Sequence, residues 1–155
     1  MLVQRCALDQ HRLILSVSVT KPQFSANGFV GQFTQHQYRA LVDTGAQRTV
    51  VSRSVVAEQA LVRIGHMEFS SLHGPQTHSR FLALIGLWAK RVENSCAAAD
   101  FENSETSLFA IENPYEVVDM ANNANFDIIL GFDVLKMFSF GFDAQTKQFQ
   151  IIIKP

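Results

Sequence analysis

The chain has 155 residues, of which 47% are hydrophobic and 17% charged, and its formal net charge is -1. That is the size of one domain with enough apolar mass for its own core, and it excludes a disordered chain. The balanced charge, with Arg39, Arg48, Arg53, Arg63, Arg80 and Arg91 scattered along the sequence, argues against nucleic acid and against a membrane surface as partners.

Residues 1–10 carry Arg5 and Asp9 and lack the apolar run of a secretory leader. No later run approaches the ~20 apolar residues of a membrane span, so a cytoplasmic protein is expected. Leu13, Leu15, Val17 and Val19 alternate with Ile14, Ser16, Ser18 and Thr20, which predicts a strand. Asn27-Gly28 predicts a turn. Further strand is expected at 29–33 and at 38–42, the latter running directly into Asp43-Thr44-Gly45. Thr49-Val50-Val51 is β-branched and extended, and Ser52 or Ser54 can cap a short helix over 55–60.

Two strands are predicted at 62–71 and 80–88, with Gly74-Pro75 marking the hairpin tip between them. Residues 91–106, rich in Asn, Ser, Ala and Glu, read as a loop insertion in a single domain spanning 1–155. Short strands are expected at 107–111 and 116–118. Phe126-Asp127-Ile128-Ile129-Leu130 reads as a buried strand ending at Gly131, followed by helical spacing over 132–138. A last hairpin pairs 140–142 with 149–153. The class is mainly β, a closed barrel-like sheet with one or two short helices.

The chemistry-bearing stretch is Ala40-Leu41-Val42-Asp43-Thr44-Gly45-Ala46. An apolar strand delivers a carboxylate to a loop, Gly45 lets that loop turn, Thr44 can hold it by a hydrogen bond, and Ala46 leaves room beside the acid. Two such carboxylates a few ångströms apart cannot both ionise comfortably, so they share one proton and supply a base and an acid together.

This pattern resembles the retropepsin family, the proteases of retroviruses and their cellular and bacterial relatives. The resemblance rests on Asp43-Thr44-Gly45-Ala46, the following Thr49-Val50-Val51, and the late Ile128-Ile129-Leu130-Gly131 ahead of a short helix. It covers about residues 13–153. It implies the acid-protease β-barrel fold and aspartic endopeptidase activity on protein or peptide substrates, without metal or cofactor. Asp43 matches the catalytic aspartate, and Thr44, Gly45 and Ala46 match the supporting loop. Ile129, Leu130 and Gly131 match the strand crossing behind it. His73, Gly74 and Pro75, within 72–78, match the flap over a bound peptide; Pro75 departs from the usual glycine-rich flap.

One Asp-Thr-Gly in a chain too short for two lobes implies a homodimer in which Asp43 meets its own copy. The apolar end, 148–153, would pair either with that partner or within its own chain. Asp127 and Asp133 are expected to be structural. The alternative to a protease is a non-catalytic or latent module of the same fold that dimerises or binds peptides. Cys6 and Cys96 form neither a disulfide framework nor a zinc spacing and are expected as free thiols. The five histidines show no metal spacing, and Trp88 is expected in the core or an interface.

Overall fold

The computed structural model describes residues 1–71, 74–92 and 104–153. Among these residues, thirteen strands and two short helices follow in the order β1 (Leu2–Asp9), β2 (Arg12–Thr20), β3 (Gln23–Ser25), β4 (Gly28–Val30), β5 (Tyr38–Val42), β6 (Val50–Ser52), α1 (Arg53–Glu58), β7 (Val62–Ser71), β8 (Gly74–Arg91), β9 (Thr106–Ala110), β10 (Tyr115–Met120), β11 (Ile128–Leu130), α2 (Phe132–Leu135), β12 (Ser139–Asp143) and β13 (Gln148–Ile153). The mainly β class with two short helices agrees with the sequence. Strand pairing runs β2–β5–β11–β6–β10–β8, and β8 returns to β2, so the sheet closes a circuit on itself.

Alternation explains most of this. In β2 the side chains of Leu15, Val17 and Val19 are all but fully buried, and they join Ala40, Val51, Ile85, Leu87, Val117, Ile128 and Leu130 in the core. Ser18 and Thr20 are buried too, because β2 is covered on both faces, and their hydroxyls donate to the carbonyls of His36 and Gln32. Trp88 is half-buried and donates its Nε1–H to Ser18 Oγ at 2.9 Å. Ser52 caps α1 through Oγ, which accepts from Val55 N, so of the two expected caps it is Ser52 that acts.

Several expectations move. Strand β1 lies where the sequence offers no turn signal after it. Its hairpin with β2 closes through Gln10 and His11 at φ 47° and 67°, a left-handed two-residue turn built without glycine. Strand β8 is 18 residues long and starts at Gly74, so Gly74-Pro75 is not the tip. Gly74 pairs with Ser71 and Pro75 with Ser70, while Leu72 and His73 lie outside the described residues. Most of the expected insertion also lies outside them, as does Cys96. Around it, Lys90 of β8 pairs with Thr106 of β9. The C-terminal strand pairs within its own chain on both sides, with β1 from Leu2↔Ile153 to Ala7↔Gln148 and with β12 from Ser139↔Ile152 to Asp143↔Gln148. Cys6 is free and half-buried, and burial pushes its thiol up to about 11.

Candidate active site

Strands β5 and β6 are joined by the loop 43–49, and β11 runs between them behind that loop. It pairs in parallel with β5 (Leu41↔Ile129, Val42↔Leu130) and antiparallel with β6 (Ile128↔Val51, Ile129↔Val50). Ile129, Leu130 and Gly131 therefore stand directly behind Asp43, Thr44, Gly45 and Ala46. Asp43 N donates to the Leu130 carbonyl at 3.1 Å, and Phe132 N donates to the Ala46 carbonyl at 2.7 Å.

Gly131 is required by contact. A Cβ there would stand 2.5 Å from the carbonyl carbon of Arg48 and 2.6 Å from its oxygen, closer than any side chain tolerates. Beside it Thr49, fully buried, works in both directions. Its Oγ1 accepts from Gly131 N at 3.0 Å and donates to Asp133 Oδ1 at 2.8 Å, while its N donates to Asp133 Oδ2 at 3.0 Å. Asp133 is thus the brace between α2 and the loop. The aspartate in the first turn after an N-cap glycine was the available sign of such a role.

At the front of the loop, Asp43 Oδ1 accepts from Gly45 N at 2.9 Å and from Ala46 N at 3.2 Å. The carboxylate is partly exposed and the Thr44-Gly45 tip is exposed. Two backbone N–H groups fix one oxygen, which orients the group.

The β7–β8 hairpin rises from the sheet nearby, joined to the loop through β10. Arg48, in the loop, donates Nη1–H to Glu116 Oε1 at 3.0 Å; Arg80, on β8, donates Nη2–H to Glu116 Oε2 at 3.2 Å. One residue pair further up, Asp119 accepts from Ser79 N at 2.7 Å and from Arg53 Nε at 3.1 Å, and its carbonyl lies 2.8 Å from His78 Nδ1. Glu116 and Asp119 were invisible to sequence reasoning, since nothing local marks which arginines they meet. On the far side, Tyr115 lies against α2, its hydroxyl on Met137 Sδ. Burial, with the Asp133 charge adding to it, raises the Tyr115 hydroxyl above its ordinary range. Among the described residues no cluster of His, Cys, Asp and Glu could hold a metal ion, and no helix is long and apolar enough to cross a membrane.

No protein-family model and no curated protein matches the chain. Solved structures do. A retropepsin-like aspartic protease from Rickettsia conorii aligns over 96% of this chain and 90% of its own at 12% identity, with a TM-score of 0.53. The simian foamy virus (mac) protease aligns over 80% and 92% at 12% identity, with a TM-score of 0.45. The retroviral protease-like domain of Ddi1 from Leishmania major aligns over 92% and 94% at 18% identity, with a TM-score of 0.43. At these identities the likeness speaks for the fold, and the Rickettsia structure, matched across nearly all of both chains, carries it: the chain has the fold of the retropepsin-like aspartic proteases.

Proposed function

We propose that this chain is an aspartic endopeptidase that works as a homodimer, with Asp43 of each protomer forming the catalytic pair. The observation that supports this reading best is the Asp43 carboxylate itself, delivered to an exposed loop tip, oriented by Gly45 N and Ala46 N, and backed by a strand that Gly131 lets pass in contact. Such bracing is more than a surface aspartate needs.

In the pair, one carboxylate is ionised and the other protonated, because two like charges at contact distance do not both persist. The ionised Asp43 takes a proton from water, whose oxygen attacks the peptide carbonyl carbon. The protonated one donates its proton to the carbonyl oxygen, giving a neutral gem-diol. Collapse of that intermediate breaks the C–N bond as the amine leaves with a proton from the dyad. Thr44, Gly45 and Ala46 hold the loop. A substrate would lie extended, bonded like an added strand and covered by the β7–β8 hairpin with His73, Gly74 and Pro75 at its end. Neither metal nor cofactor enters the scheme, and the optimum is acidic to near-neutral.

The test is cleavage of a diverse peptide library by wild type and Asp43→Asn at pH 5 and 7. Cleavage by wild type alone upholds the reading. Equal cleavage by both removes Asp43 from the chemistry. Folded dimers of both that cut nothing favour a peptide-binding or latent module, a reading to which Pro75 lends weight, since it removes a backbone donor from the end of the hairpin.

A further inference from the structure

In the loop that carries Asp43, one arginine shares its carboxylate partner with another. Arg48 donates Nη1–H to Glu116 Oε1 at 3.0 Å, while Arg80 donates Nη2–H to Glu116 Oε2 at 3.2 Å and holds its Nε 3.1 Å from Oε1. The backbone gathers the three. Val118 of β10 pairs with Val50 of β6 on one side and with Arg80 of β8 on the other. Glu116 precedes Val118 by one strand repeat and so shares its face. Arg48 leads into β6 just ahead of Val50.

The charges at this corner do not cancel. Two guanidiniums and one carboxylate leave a net charge of +1, that is +2 from Arg48 and Arg80 and -1 from Glu116. The neighbouring acids are engaged elsewhere, Asp119 by Arg53 and Ser79 N, and Asp133 by Thr49 and Val134 N. Among the described residues Glu116 is the one acid within ion-pair distance of Arg48. The Arg48 side chain is nevertheless 42% exposed. A guanidinium offers five N–H donors in a planar fork that matches a carboxylate, and Glu116 engages one of them, so Arg48 can take a second acid. Nothing on β7 shields Arg80 either. Its opposite residue there is Gly65, where a Cβ would stand 3.8 Å from Arg80 Cζ.

We propose that Arg48 sets the specificity of this site, selecting peptides that carry an acidic side chain, Asp or Glu, within a few residues of the bond to be cut. The inference rests on the endopeptidase reading above and names its substrate class. Reach allows it. The backbone from Asp43 to Arg48 spans at most about 18 Å, and the turn in which Ala46 N donates to the Asp43 carbonyl shortens that path. An extended peptide covers such a distance in about five residues. Charge favours it. An acid on Arg48 neutralises the excess at the corner, a neutral side chain leaves it, and a lysine adds to it. Because Arg48 is partly exposed, the preference for Glu over its neutral isostere Gln is modest, at least about fivefold.

The experiment uses the full chain as wild type, Arg48→Gln and Arg48→Glu. The substrates are labelled peptides with one cleavable core and Glu, Gln or Lys placed at each flanking position in turn. Cleavage is followed at pH 5, where a free Glu is largely ionised. The readout is the Glu-to-Gln ratio of kcat/KM on a single enzyme sample, which does not depend on how much of that sample is folded. Wild type is expected to prefer Glu at one or more positions at least about fivefold. Arg48→Gln is expected to bring that ratio to about one, and Arg48→Glu to turn the preference towards Lys. A wild type without an acidic preference at any position overturns the proposal. So does a preference that survives in Arg48→Gln. Should neither variant fold, the wild-type ratio at low and high salt decides, because an exposed charge pair is screened: a falling ratio upholds the proposal and a constant one overturns it. The endopeptidase reading fails separately. If wild type cuts nothing, that reading falls, and the same peptides are read by fluorescence anisotropy instead. Tighter binding of the Glu peptides that is lost in Arg48→Gln then keeps the proposal, while equal binding, or none, sinks it too. Cleavage that depends on Asp43 but ignores the flanking charge leaves the chemistry and removes Arg48.

Discussion

The Asp43 loop and the β7–β8 hairpin are built on opposite terms. The loop 43–49 is short and fastened from behind at its start, middle and end, through Asp43, Ala46 and Thr49. Leu130, Gly131, Phe132 and Asp133 each bond to it through backbone or carboxylate, and Gly131 touches it so closely that no Cβ fits. The hairpin is long and held at its base. Strand β7 is an edge with Val62 and Ile64 exposed, and above Arg80 the anchors of β8 are Ser79 N and His78 Nδ1 on Asp119. A reacting carboxylate needs fixed geometry, whereas a segment that admits and covers a substrate needs a low cost of opening. The sheet spends its hydrogen bonds unevenly, which fits the roles proposed for the two regions.

If that contrast is right, the two regions respond differently to the same kind of change. The largest effect is expected from Gly131→Ala. The new methyl meets backbone of Arg48 at 2.5 Å, which cannot rotate away, so β11 or the loop must shift. A loss of about 3 kcal/mol in urea unfolding is expected. A loss below about 1 kcal/mol would mean the loop is not rigid there. Thr49→Val comes next. It keeps the shape but leaves Gly131 N without its acceptor and Asp133 Oδ1 without the Thr49 hydroxyl, a cost of about 2 kcal/mol on the same measurement.

The legible and illegible parts of the molecule divide along this same line. Asp43 to Ala46 and Ile128 to Gly131 stand out in the sequence because tight backbone contact admits few residue types, so the constraint is written locally. Where side chains only need to be polar and long, it is not. Nothing near Glu116 or Asp119 says that they will gather Arg48, Arg80, Arg53 and Ser79. Gly74 and Pro75 are already paired within β8, for a related reason. Gly74-Pro75 looks like a turn, but Gly74 serves φ 97° at the first position of β8, and Pro75 is tolerated where β8 is flanked by β7 alone. Strand β1 went unread because its hairpin uses Gln10 and His11 at positive φ, and β13 was ambiguous because the choice between β1 and a partner is a matter of tertiary pairing.

A pH experiment sharpens the contrast on the loop side. Tyr38 opens β5, the strand that delivers Asp43. Burial pushes its hydroxyl from 10.0 up to about 12, with a bond from Gln59 opposing and the nearby Glu58 adding to the rise. The protonated form is the one the fold favours. Its contribution is therefore complete below pH 10 and falls as pH rises from 10 towards 12, by on the order of 1 kcal/mol. Urea midpoints of wild type and Tyr38→Phe across that interval check this: the wild-type slope should be the steeper. Parallel slopes would exclude Tyr38 as the cause.

The smallest effect is expected from Gly74→Ala, and it tests the hairpin side directly. A Cβ at Gly74 meets nothing within 4 Å, so there is no clash of the kind at Gly131, but φ 97° is a strained conformation for alanine. The hairpin can relieve that strain by opening its own end, because the pairs there, Ser71↔Gly74 and Ser70↔Pro75, are far from the core strands. Global stability should change by less than about 0.5 kcal/mol, while amide exchange over 74–79 accelerates several-fold and exchange in 43–49 stays as in wild type. If the loop's exchange rises together with the hairpin's, the links through Glu116 and Asp119 make one cooperative unit of the two, and an opening hairpin would disturb the loop that carries Asp43.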